Sequence, residues 1–138
     1  MSKRREGRET ALQLLYSQET LPKGADQDLP EFWNLRRTDD AVQAHALALQ
    51  QGVQDHLQDI DARISKTLEN FSFERLSPVD RNILRIATYE MFHDTKVPPV
   101  VSMNEAIEIA KRFGGEDSSR FVNGILDRLI KEVTRSHR

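Results

Sequence analysis

LSPVDRNILRIATYEMFHDTKVPPVVSMNEAIEIAKRFGGEDSSRFVNGILD, running from Leu76 to Asp127, carries the densest apolar periodicity in the chain and reads as three helices. Ser77 suits an N-cap, Pro78 the first helical position, and Asp80 adds negative charge in the first turn. Val79, Ile83, Ile86 and Ala87 recur at helical spacing, with Leu84 and Met91 widening the stripe. Pro98-Pro99 disfavours helical geometry in the residues before it, so this helix should end near Asp94. Ser102 with Glu105 three residues later reads as a capping box that opens a second helix, whose buried face would be Met103, Ala106, Ile107 and Ala110. Gly114-Gly115 reads as its C-cap. Asp117 or Ser118 then starts a third helix with Val122, Ile125, Leu126, Leu129 and Val133 on one side. Amphipathic helices with short joints predict a compact bundle.

Toward the N-terminus the pattern stays helical. Lys3, Arg4, Arg5 and Arg8, offset by Glu6 and Glu9, lead into Ala11, Leu12, Leu14, Leu15 and Tyr16 as one helix with a basic end. Arg5, Glu9, Leu12 and Tyr16 step by four, three and four, so they share one flank. A basic end of this kind serves either as a phosphate-contacting arm or as a solvated helix terminus. Pro22, Gly24 and Pro30 predict a loop, and Phe32, Trp33 and Leu35 a helical turn closing over the core, with Trp33 a core plug. Thr38 or Asp39 opens a long pattern of Val42, His45, Ala46, Leu49, Val53, Leu57, Ile60, Ile64 and Leu68, which Gly52 bends or breaks. Val97 to Val101 is β-prone but interrupted by two prolines, hence extended loop. Two helical subdomains are expected, residues 1–75 and 76–138, packed as one domain.

Composition narrows the function. The 138 residues have a formal net charge of −2 at pH 7, which argues against indiscriminate nucleic-acid binding, so any RNA contact must rest on locally concentrated positive charge. With no cysteine there is no disulfide or thiolate chemistry. No apolar run reaches the roughly 20 residues of a membrane span, and the charged N-terminus does not read as a signal peptide; a cytoplasmic location without membrane partners is expected. There is no Gly-rich phosphate loop, no nucleophile-base motif and no metal-ligand cluster, so no catalytic residue, metal or cofactor is assigned. His45 and His56 have no accompanying ligand.

Three polar features remain. Glu90 falls inside an apolar stripe, and a buried carboxylate needs an arginine or a helix N-terminus as partner. Asn123-Gly124 lies mid-helix, where glycine costs about 1 kcal/mol relative to alanine; a close helix approach at Gly124 would account for it. Asp117, Ser118, Arg120 and Phe121 surround a helix start, where free amides favour anions, and Phe121 serves equally as a base-stacking or a core residue.

RETALQLLY (Arg8 to Tyr16), PVDRNILRIATYE (Pro78 to Glu90), NEAIEIAKRFG (Asn104 to Gly114) and SSRFVNGILD (Ser118 to Asp127) together resemble the NusB family of bacterial transcription antitermination factors. Ser17 to Phe73 matches in helical pattern only. The resemblance implies an all-α fold of two packed three-helix bundles with no enzymatic activity. It further implies pairing with the small-subunit ribosomal protein NusE, binding to boxA RNA of nascent transcripts, and assembly on elongating RNA polymerase with other Nus factors, notably on ribosomal RNA operons. By the same resemblance Lys3, Arg4, Arg5 and Arg8 are the RNA-contacting arm. Asp117 and Phe121 lie near the RNA path, with Ser118 and Arg120 beside them at the same helix start as further RNA-contact candidates, and Tyr16 and Asp80 face NusE. The domain also occurs fused to ribosomal RNA cytosine methyltransferases; this sequence holds no cofactor loop for that chemistry. The competing expectation is a protein-only helical scaffold or a homodimer whose basic end is merely solubilising.

Overall fold

The computed structural model describes residues 2–20, 39–69 and 71–136, and these are helical with no strand among them. The predicted loop at Pro22 to Pro30 and the turn carrying Phe32, Trp33 and Leu35 lie outside the described residues.

Helix α1 spans Lys3–Thr20. Its first turn is closed by Ser2, whose hydroxyl accepts from the Arg5 amide at 3.1 Å, so the basic arm is the first turn of the helix itself. Gly7 through Leu12 are buried without interruption, because other elements surround this stretch on several sides. Asp39 caps α2 (Asp40–Asp55), its carboxylate accepting from the Val42 amide at 2.8 Å. Val42, Ala46, Leu49 and Val53 form the buried stripe. The break expected at Gly52 falls instead at His56, whose φ of −120° and ψ of 21° separate α2 from α3 (Leu57–Thr67). Gly52 has a different role: the Tyr89 ring occupies the space a side chain there would need.

A short 3-10 turn, Phe73–Arg75, leads into α4 (Pro78–His93). The predicted start is borne out: the Ser77 hydroxyl accepts from the Asp80 amide at 3.1 Å and Pro78 opens the helix. Helix α4 is the central rod, touching α1, α2, α3 and α5.

Helix α5 (Pro99–Ser136) differs from the sequence reading at its start. Pro99, not the residue after Ser102, opens it, and the Pro98 carbonyl accepts from the Val101 and Ser102 amides at 3.0 and 3.3 Å. A proline at the first helical position loses nothing, since that amide has no helical acceptor. Ser102 is therefore a buried first-turn residue rather than a cap, and Glu105 is free to pair elsewhere. The glycine pair does end one helical run: Gly115 sits at φ 88° and ψ −172°, and a second arm begins directly after it. Val122, Ile125, Leu126, Leu129 and Val133 are buried as the stripe predicts, whereas Met103 and Ile107 are only partly buried and Ile109 replaces them in the core. The close approach expected at Gly124 is absent; the residue is exposed with open space beside it.

The fold is thus all-α. Helix α1 packs on α2 and α4, α3 packs on α4 and α5, and one continuous apolar cluster from Ala11 to Val133 joins them.

Candidate nucleic-acid interface

The arm at the start of α1 divides into exposed and buried cations. Lys3 is open to solvent, 3.2 Å from the Asp39 carboxylate, and that carboxyl is held below its usual pKa by the Val42 amide and by Lys3. Arg4 is exposed. Arg5 is half-buried, its Nε donating to Glu105 Oε2 at 2.6 Å.

Arg8 corrects the sequence reading. It is 2% exposed, with Nε donating to Glu90 Oε1 at 2.8 Å and Nη2 to Oε2 at 2.9 Å. A guanidinium enclosed this way has no face left for a phosphate. Burial alone would lower the Arg8 pKa, but the bond and charge of Glu90 outweigh it and raise it. Glu90 thereby gains the arginine its burial demanded. His45 packs where a side chain on Gly7 would sit, and burial, reinforced by the Arg8 charge, lowers its pKa.

The flank shared by Arg5, Glu9 and Leu12 faces the first arm of α5. Glu9 is buried and accepts twice from Arg112 Nη1, at 2.9 and 2.8 Å, while the Arg112 guanidinium lies 5.4 Å from the centre of the Phe113 ring. Tyr16, at the far end of that flank, is exposed.

The second cluster lies beyond the Gly115 kink. Asp117 is exposed and pairs with Arg120 one turn on. The Ser118 hydroxyl donates to the Asp80 carboxylate, in the space left by the missing side chain of Gly114. Asp80 and Ser118, read separately from sequence, are therefore in contact. Phe121 is half-buried, its ring centre 5.9 Å from that of Phe71. These two rings, with Arg120, Arg128 and the bare backbone of Gly124, line an open groove of about 320 Å³. Sequence reading missed Phe71, Gly124 and Arg128 in this role. The usable signal was the spacing of Phe121, Gly124 and Arg128, which places all three on one side of a helix.

Among the described residues no group of three His, Cys, Asp or Glu side chains is placed to hold a metal. The His56 ring stacks on that of His93, their centres 3.9 Å apart. No helix of the described residues is long and apolar enough to cross a membrane.

A family model described as the NusB family matches residues 5–131. A transcription antitermination protein NusB from Geobacter sp. (strain M21) is 42% identical over 97% of this chain and 98% of its own length. The structure of NusB from T. maritima superposes with a TM-score of 0.80 at 41% identity, covering 96% of this chain and 92% of that one. A crystal structure of antitermination factors NusB and NusE in complex with dsRNA superposes with a TM-score of 0.84 at 26% identity, covering 96% and 98%.

Proposed function

The chain belongs to the NusB family, a family of transcription antitermination proteins and not of enzymes, and on that footing we propose that it pairs with the ribosomal protein NusE and binds boxA RNA of nascent ribosomal transcripts, suppressing premature termination. In this reading the pair works on elongating RNA polymerase with other Nus factors. Lys3, Arg4 and Arg5 contact phosphates, Phe121 meets bases, and Tyr16 and the Asp80 end of α4 face NusE.

The observation that carries the RNA reading is the Phe71–Phe121 groove. Single-stranded RNA is bound through splayed bases stacked on aromatic faces beside cations, and here two aromatic rings share a groove with two guanidiniums and the single carboxylate of Glu69, in a protein of net charge −2. A protein-only scaffold or homodimer leaves this groove without a role.

Fluorescence anisotropy with a boxA RNA, with and without NusE, tests the proposal. Replacing Lys3, Arg4 and Arg5 together by alanine is expected to weaken RNA binding and to flatten its salt dependence by about 2 in logarithmic slope, at about 0.7 per single-strand phosphate contact. NusE pairing should be unchanged. An unaltered RNA titration would reject the arm as the contact.

The groove gives an independent test through Gly124→Ala. An exposed helix-interior glycine with open space gains up to about 1 kcal/mol of stability as alanine, so the melting temperature should rise. The added methyl narrows the groove floor beside Phe121, so RNA affinity should fall. A rise in both would remove the groove from the RNA path.

A further inference from the structure

We propose that Glu105 is the internal rival of RNA phosphate for Arg5 and so sets how readily the α1 arm accepts a transcript; this rests on the arm being an RNA contact. The cations placed in the RNA path are not equally held. Lys3 with Asp39 and Arg120 with Asp117 are pairs whose four side chains are between 49% and 96% exposed, so water and salt screen them. Glu105 is 17% exposed and meets Arg5 Nε at 2.6 Å, a less screened contact. Its grip on Arg5 is the strongest internal competition that a phosphate meets on this arm.

The grip is releasable because Glu105 has a second partner. Its Oε1 lies 3.8 Å from Arg8 Nη1, and Arg8 is fixed by both oxygens of Glu90. When Arg5 leaves, the half-buried carboxylate still has a neighbouring guanidinium and is not stranded. Outside the pair lies an open groove of about 300 Å³, lined by Arg5, Val101, Asn104, Glu105 and Glu108, through which a phosphate can reach the solvent side of the Arg5 guanidinium. An RNA already positioned by other contacts displaces Glu105, whereas a passing polyanion does not. Glu105 is thus a specificity-determining residue rather than a structural strut.

The test is a double-mutant cycle on the full chain, read by anisotropy with a boxA RNA and with an unrelated single-stranded RNA. Glu105→Gln is expected to tighten both by about fivefold, the scale of one ion pair, to shrink the preference for boxA, and to steepen the salt slope by up to about 0.7. In an Arg5→Ala background Glu105→Gln should change nothing. If it tightens binding equally there, the effect is general charge removal and the proposal fails. If Arg5→Ala weakens RNA binding while Glu105→Gln weakens it too, Glu105 positions Arg5 rather than competing for it, and the proposal fails alone. If Arg5→Ala binds like the parent, the arm reading itself is wrong and takes this proposal with it. Glu105→Asp, which keeps the charge but withdraws it by one methylene, should give the same direction of change and serves if the glutamine variant folds poorly.

Discussion

Replacing Arg8 by alanine is expected to remove about 3–5 kcal/mol of folding stability, the cost of leaving one half of a buried ion pair behind. The Glu90 carboxylate is 1% exposed and both its oxygens are bonded to Arg8. Without the guanidinium, both Glu90 oxygens lose their bond in a site closed to solvent. Removing both partners is a different case. The surrounding side chains include Leu12, Ile83, Ile86, Ala106 and Ile109, an apolar setting into which a methionine at position 8 and a leucine at position 90 fit without an orphaned charge. That double replacement should recover most of the stability, since apolar substitutes for buried ion pairs are often neutral or better. Urea denaturation of the single and double variants measures this directly. A loss below about 1 kcal/mol for Arg8→Ala, together with a fall in RNA affinity, would return Arg8 to the RNA-contacting arm.

Arg8 also marks where sequence reading stops. It stands in the same basic run as Lys3, Arg4 and Arg5, and a local window holds nothing to separate them. The distinction comes from Glu90, 82 residues away in sequence, brought opposite by the packing of α1 on α4. The need for such a partner was legible, because a carboxylate inside an apolar stripe requires one; its identity was not. Helix starts governed by neighbouring residues were readable, as at Asp39 and Ser77. Pro98-Pro99 misled because the dipeptide opens a helix where an extended loop was expected over Val97 to Val101, leaving Ser102 inside the first turn. Glycines were the least readable. Gly52 and Gly124 both interrupt helical patterns, yet only Gly52 has an aromatic ring pressed against it. What faces a helix from across the core is not written in the helix.

Gly115 gives the second large expected effect. Its φ of 88° with ψ of −172° lies in a region that side-chain-bearing residues hardly enter, although nothing stands within 4 Å of where a side chain would go. The penalty for Gly115→Ala is therefore backbone strain and not collision, about 1–3 kcal/mol. Asparagine rescues glycines in the left-handed helical region but not this extended positive-φ conformation, so Gly115→Asn should be no better. The consequence reaches beyond stability, because this one residue aims the second arm of α5. Relaxing the strain re-aims Ser118 relative to Asp80 and Phe121 relative to Phe71, contacts that straddle the two proposed binding surfaces. Both RNA and NusE affinities should then fall together in Gly115→Ala, whereas Gly124→Ala leaves NusE pairing intact. Thermal melts with paired titrations read these outcomes. An alanine variant that melts and binds like the parent would show that the bend is enforced by packing on α4 and owes nothing to the conformational range of glycine.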